Sequence, residues 1–596
     1  MDDDDAPLAA PAPPPGFARY FPLERPPPPP RTFELGLVLG GTVSAGAYTA
    51  GALDALVELL DAWEATDPPH RVRLPIVTGC SGGGITAGIL GLYARKAHHP
   101  MPDDFAALMA TAAMPDNPLF DVWVNRVDGL AFLDPSDLAG GTAASLLNCR
   151  RLDEIARDMV RYGETPNGFG RAYLPDPYRM ILSVTNVEGI PYRFDVPAFT
   201  GWTGGNYAQH ADYARFALPA SGIAADPAGA RRPDEFWIGR NPAGEGFADF
   251  GTLMQYALAG GAYPMALRPR ALTRPAAQYR YRPHVLRTPA GAICEPLVPD
   301  WSSLPTTGGQ VGFTGIDGGV FDNNPVLLAH RELAGMAAPL EPGPDAARRA
   351  LLLIDPTLHQ PRAPGRVAGG MGGIGLAALG AMEAGANYLT ADLDMMADPR
   401  IFSHFQLVPV RPDRKTAGAA AAATTVLHAF GGFFCRAFRV HDFMLGRLNM
   451  RDYLRRVLIL RADNPLFDGW SLAERQRHAL DADGAPLPAV TGATPPAAYW
   501  LPVIPDSLGP APGGHAGILP WPAGQLDPET LRPALGRRVA ALLAIAQKDE
   551  ISGLLANLWF DAGERFISAR ITGDIVAAFR AALERHDLLP RAGGAG

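Results

Sequence analysis

The sequence predicts an α/β fold with a mainly parallel central sheet and flanking helices, extended by a large insertion and a mostly helical C-terminal region. Three observations carry this reading. Near the start, an apolar run twice leads through a glycine-rich turn into a stretch with helical spacing, at residues 33–39 with 47–62 and at residues 74–78 with 85–93. Further apolar runs of strand length follow at residues 178–185, 312–316 and 350–354. The chain has 596 residues, 47 % hydrophobic and 19 % charged, enough for a sizeable core and for more than one ordinary domain.

Taken in order, residues 1–32 read as a disordered tail, because an acidic start gives way to proline-rich stretches including Pro26 to Pro30. Residues 33–360 read as one domain. Phe33 to Leu39 is its first buried strand, Gly40 to Gly46 a turn, and Ala47 to Ala62 a helix. Between about 195 and 300 the chain is rich in Gly, Pro and aromatics with no clean period, which predicts an insertion around the substrate face. Residues 361–596 form the C-terminal region. It contains two Ala/Gly-rich stretches, 367–386 and 417–434, then a helical pattern at 438–447 and another from about 530. Both Ala/Gly stretches are predicted to be buried helices, since they lean on Ala and Gly where a membrane span leans on Leu and Ile. A helix lying on a membrane surface is the third option.

The formal net charge of −9 argues against nucleic acid as a partner, because phosphate binding needs clustered Lys and Arg. The group Arg451, Arg455 and Arg456 reads as a solvated helix face. Four separate cysteines, Cys80, Cys149, Cys294 and Cys435, give neither a disulfide framework nor a zinc site. The start Met1-Asp2-Asp3-Asp4-Asp5 lacks the basic and apolar regions of a secretory signal, so a cytoplasmic location is expected, with peripheral membrane contact left open.

The chemistry lies in two motifs. Gly79-Cys80-Ser81-Gly82-Gly83 is a G-x-S-x-G string between an apolar strand and a helix. A serine there sits in a sharp turn that glycine neighbours tolerate, beside a helix N-terminus whose dipole favours developing negative charge. Ser81 is therefore the candidate nucleophile, and Cys80 in the same turn is read as packing. Oxyanion donors are expected from the backbone of Gly40, Gly41 and Thr42, which end the neighbouring strand. Nucleotide binding is the weaker reading of that turn, since Val43 breaks a G-x-G-x-x-G pattern. One strand precedes the nucleophile strand, which argues against an ordinary α/β-hydrolase. His330, His359 and His441 are formal candidates for a base, but none sits in a Gly-rich turn. Asp317 does, followed by Gly318 and Gly319, with Asn324 before Pro325 read as the N-cap of the next helix. A free aspartate has a pKa near 4, about 3 units below neutrality, so direct bonding to the serine in a partly desolvated pocket has to compensate.

Taken together, Gly40-Gly41, Gly46-Ala47-Tyr48, Gly51-Ala52-Leu53, Gly79 to Gly83, and Asp317 to Val320 with Asn323-Asn324-Pro325 resemble the patatin-like phospholipase family. The segment Tyr256 to Pro264 is similar to that family's small-residue helix ending in a proline loop. The resemblance covers about residues 33–360. It implies a lipid acyl hydrolase with Ser81 as nucleophile, Asp317 as general base, the turn at Gly40, Gly41 and Thr42 as oxyanion hole, and no metal or cofactor. It implies a lipid or membrane surface as the source of substrate. Two departures stand out: Thr42, Val43 and Ala45 occupy positions where the family's turn carries further glycines and a basic residue, and 236 residues separate Ser81 from Asp317, long for the family. A non-lipid serine esterase or thioesterase, and a catalytically silent membrane-associated scaffold, are the alternatives.

Overall fold

The computed structural model describes residues 13–590 except 115, 166–167, 199–200, 227–228, 305, 359–384, 388–395, 397–401, 488–498, 509–518 and 547–563. For 193–198, 201–206 and 564–567 it describes the backbone alone. In chain order the strands up to residue 407 are β1 (Thr32–Leu39), β2 (Arg71–Arg73), β3 (Val77–Gly79), β4 (Tyr178–Ala198), β5 (Gly201–Leu218), β6 (Glu235–Ile238), β7 (Phe247–Ala248), β8 (Arg270–Pro275), β9 (Arg282–Thr288), β10 (Gly291–Leu297), β11 (Gln310–Asp317), β12 (Arg349–Ile354) and β13 (His404–Leu407). All but the β9–β10 hairpin belong to one mixed sheet whose main path runs β13-β12-β1-β3-β4-β5-β6-β7. Its centre, β13 through β4, is parallel; β5 and β11 run antiparallel to β4. The α/β reading of the sequence holds.

β1 and β12 are buried along nearly their whole lengths, and apolar beyond Glu34 and Arg349, because helices cover both of their faces. The helix Gly46–Glu64 lies on one face, and the helix Val326–Ala334 packs with Val38, Ile76, Leu351 and Leu353 on the other. The segment Val43–Glu64 is the single stretch among the described residues that is long and apolar enough to cross a membrane, and 89 % of its most apolar window is buried in the protein. It is a core helix here.

The C-terminal region is built into the same core. β13 extends the main sheet beside β12, and the helix Arg436–Arg456 crosses the helix Gly46–Glu64 at backbone distance: a Cβ on Gly51 would overlap the Phe443 carbonyl, and one on Gly446 the Tyr48 carbonyl. Helices Arg532–Ala546 and Glu564–Arg585 complete the region.

Several expectations are corrected. The N-terminal tail is ordered in part, since Phe17 and Phe21 are buried and Arg215 and Arg232 lie against the Phe21 ring; residues 1–12 fall outside the described residues. The insertion at 195–300 begins earlier, inside the long β4–β5 hairpin. The stretch 417–434 is a chain of short 3₁₀ turns, because Gly418 at φ 64° and the left-handed run Leu427, His428 and Ala429 interrupt any helix. Of the stretch 367–386, only 385–386 is described. Arg451 is buried between Asp103 and Asp506, with Arg455 on the same Asp506, so this part of the basic group is internal ion pairing.

Candidate active site

Two strands that end head to head bring serine and aspartate together. β3 ends with Gly79 opposite Leu182, and β11, running the other way, ends with Asp317 opposite Val184. Their carboxyl ends therefore meet along one edge of β4, two residues apart in register. The Asp317 backbone is pinned on both sides: its N–H donates to Ala262 O (3.0 Å) in the loop after the helix Phe250–Gly260, and its C=O accepts from Thr185 Oγ1 (2.8 Å).

Beyond β3, Cys80 is extended, Ser81 turns to φ 50°, and the helix Ser81–Tyr93 begins. Ser81 Oγ donates to Asp317 Oδ2 at 2.7 Å. Asp317 Oδ1 accepts from Gly319 N at 2.8 Å. Both side chains are buried, with Ser81 6 % and Asp317 3 % exposed. The glycines make this fit possible. A Cβ on Gly82 would run into Thr42 Oγ1, one on Gly83 into the Leu39 carbonyl, and one on Gly79 would sit 2.9 Å from Gly83 O. On the aspartate side, Gly318 lies against the Ser183 carbonyl and Gly319 against Asn323 Oδ1.

Cys80 is fully buried, and its Sγ donates a long, weak bond to Asp317 Oδ1 (3.9 Å). Burial pushes its thiol well above the usual range, and the carboxylates of Asp317 and Asp322 push it further. It is a neutral thiol, unsuited to attack.

The glycine turn departs from expectation. Gly40 N donates to Ile354 O and Gly41 N to Asn323 O, each at 3.1 Å, so both of these N–H groups are engaged by backbone acceptors. Thr42 N has no acceptor among the described residues, and neither does Val43 N, beside which Gly82 packs: a Cβ there would lie 3.2 Å from Val43 N. At the helix start, bonding begins with Gly84 N donating to Cys80 O, which leaves Gly82 N and Gly83 N without helical partners. Of the expected set only Thr42 keeps a free N–H among the described residues, and Val43 and Gly82 join it as available donors. A backbone donor has no side-chain signature, so the sequence carried no signal for Val43.

Asn324 is not an N-cap. The helix Val326–Ala334 has Pro325 at its cap with no side-chain bond, while Asn324 Nδ2 reaches Asn387 O (2.8 Å) and its side chain fills the space above Gly40. Of the histidines, His330 contacts Ala338 O and stacks on His404. His441 lies between Asp442 and Arg411, and His359 is outside the described residues. Neither described histidine bonds Ser81 or Asp317.

Ser81 opens onto a slot lined almost wholly by apolar groups. Ile85 and Ile89 continue its own helix, Trp123 and Ile155 form a second wall, Met254 and Leu258 a third, with Tyr263 and Phe433 at the end. The free space is about 50 Å³, room for a few waters, so a chain entering it has to displace side chains. Most of the lining comes from segments 122–127, 152–159 and 254–267; no described side chain of the β4–β5 hairpin is among it.

Residues 37–330 match the patatin-like phospholipase family model. A relative described as an uncharacterized protein y4iI from Sinorhizobium fredii (strain NBRC 101917 / NGR234) is 28 % identical over 486 residues, which cover 75 % of this chain and 68 % of the relative.

Proposed function

Since residues 37–330 form a domain of the patatin-like phospholipase family, we propose that this chain hydrolyses carboxylic esters of phospholipids or related lipids through a Ser81–Asp317 dyad. The carrying observation is the 2.7 Å bond from Ser81 Oγ to Asp317 Oδ2 at the mouth of an apolar slot. Ser81 attacks the ester carbonyl while Asp317 takes its proton, and backbone N–H groups of Thr42, Val43 and Gly82 receive the oxyanion. The alcohol leaves with the proton from Asp317. Water then attacks the acyl-enzyme, giving a proton to Asp317 and returning one to Ser81 as the acid departs. Burial of the carboxylate keeps bulk water from competing for its bond to the serine. Each CH₂ placed in the slot contributes about 0.8 kcal/mol, and the flexible Met159 and Met254 are suited to moving aside for a chain. Since the one helix among the described residues that is long and apolar enough to span a membrane is buried in the core, this reading has the protein take lipid from the membrane surface.

The test is a fluorophosphonate probe with a panel of phospholipid, neutral lipid and short p-nitrophenyl esters. Labelling of wild type but not of Ser81→Ala, with fatty-acid release from the lipids, is expected. Activity confined to soluble short esters would replace this reading with a non-lipid esterase, and absence of labelling with a silent scaffold.

A further inference from the structure

A second cavity adjoins the apolar slot, and its chemistry is opposite. It is an open groove of about 780 Å³ between the helices Arg150–Glu164 and Phe250–Gly260 and the start of β8. Ala156 and Met254 line both cavities, so a single layer of side chains separates them. The charged residues on its wall are Arg157, Arg161, Arg268, Arg270 and Asp153, an excess of positive charge on a protein whose formal net charge is −9.

These arginines are only partly neutralised. Asp153 accepts from Arg268 Nη2 (2.9 Å) and Arg270 Nη1 (2.5 Å), one carboxylate for two guanidinium groups. Arg161 has a 3.3 Å pair with Asp158, which also serves Arg126. Arg157 is exposed and has no partner among the described residues. The Arg270 side chain is 7 % exposed, and its Nε is a buried donor with no acceptor. A buried unpaired guanidinium N–H costs folding free energy that a bound anion would recover.

The groove is also held in register with the chemistry. Arg270 stands opposite Gly315 in the β8–β11 ladder, two residues, or about 7 Å along the strand, before Asp317. Planar guanidinium groups converging from a helix and a strand suit the oxygens of a phosphate better than a single point charge does.

We propose that this groove binds the phosphate of an anionic lipid headgroup while the lipid's ester reaches Ser81 from the adjoining slot, which makes anionic phospholipids the preferred substrate class. This rests on the hydrolase reading above, and the experiment separates the two. The inert Ser81→Ala protein is titrated calorimetrically with water-soluble dihexanoyl phosphatidic acid, with dihexanoyl glycerol and with inorganic phosphate. In parallel, the active protein is assayed on mixed micelles holding either phosphatidic acid or diacylglycerol at equal surface fraction. Ser81→Ala is expected to bind the phosphatidic acid at least ten-fold more tightly than either control, and Arg157→Gln with Arg268→Gln to remove that preference. The same pair is expected to lower the anionic-to-neutral turnover ratio at least ten-fold, whereas Arg477→Gln, an exposed arginine outside the groove, leaves the ratio unchanged. Equal affinity for inorganic phosphate would make this a free-phosphate site and overturn the headgroup assignment, as would a preference that survives the double substitution. A protein that binds the anionic lipid through these arginines but hydrolyses no ester would sink the hydrolase reading and leave the groove standing.

Discussion

The turns after β1 and β3 hold the same kind of strain by different means. Each places a non-glycine residue at positive φ, Val43 at 46° and Ser81 at 50°. Such a residue costs on the order of 1–2 kcal/mol, more readily incurred by serine than by a β-branched side chain. The Ser81 turn is supported from within its own motif, since Gly79, Gly82 and Gly83 leave the room that the tight turn needs. The Val43 turn is supported from outside. Ser44 N donates to Ala429 O (3.0 Å), and Ser44 Oγ donates to Ala429 O and to Thr424 O (3.2 Å), across 385 and 380 positions of sequence. That clamp is itself bent, with Leu427, His428 and Ala429 all left-handed. It is anchored by Asp442, which accepts from Ala423 N (2.9 Å) and Thr424 N (2.8 Å). The Ser81 turn is thus a local construction, and the Val43 turn is a tertiary one.

Removing the chemistry at the local turn has the largest expected effect. Ser81→Ala and Asp317→Asn each lower kcat/KM by at least about 10³-fold without changing the circular dichroism spectrum, and the double variant loses little more, because a nucleophile and its base fail as a unit. His330→Ala, buried away from the site, changes the melting temperature but leaves turnover per folded molecule within about two-fold. A histidine as necessary as Ser81 would refute the dyad.

Acid tests the tertiary support next. His70 joins the catalytic layer to the C-terminal region: its Nδ1 accepts from Trp470 Nε1 (2.9 Å), so its Nε2–H donates to Val503 O (2.8 Å). Burial lowers its pKa from 6.5 to about 4. As pH falls below 6.5 the unfolded chain takes up a proton that the folded protein refuses, so stability falls between pH 6.5 and 4 and levels off below. The loss is about 3 kcal/mol. Urea unfolding of wild type and His70→Gln across that range checks this, and a His70→Gln profile as steep as wild type would contradict it.

The two turns can also be loosened separately. Gly83→Ala drives a methyl group toward the Leu39 carbonyl and is expected to cost about 1–3 kcal/mol, seen as a lower melting temperature together with lost turnover. Ser44→Ala removes the outer clamp's hydroxyl and costs about 1 kcal/mol. Its signature is lower kcat with fluorophosphonate labelling slowed and KM little changed, since the substrate slot is untouched. If Ser44→Ala left kcat at the wild-type value, the outside clamp would have no bearing on the donor turn.

How much of this was legible follows the same division. The strands β1, β11 and β12 declare themselves through apolar spacing and glycine punctuation, within a residue or two of their ends, and the helix after β3 does so at its end, although it starts four residues earlier than its apolar spacing shows, at Ser81 itself. The C-terminal Ala/Gly stretch 417–434 misled, because small residues suit both a buried helix and a close-packed series of turns. Asn324 before Pro325 has the composition of a cap, yet its side chain is drawn to Asn387, a residue 63 positions away. Arg451 reads as a surface charge because the acids that bury it, Asp103 and Asp506, lie on distant segments.

By itself, then, the sequence determined the α/β class, the strained serine turn and the glycine-flanked aspartate loop, all of which depend on residues within a few positions of one another. The tertiary structure decided that β3 and β11 meet end to end on β4, which of the neighbouring N–H groups remain free beside Ser81, and that a row of arginines borders the apolar slot. Local sterics are written in adjacent side chains, whereas strand register, donor availability and the sum of charge on a surface arise only when segments hundreds of residues apart are packed together.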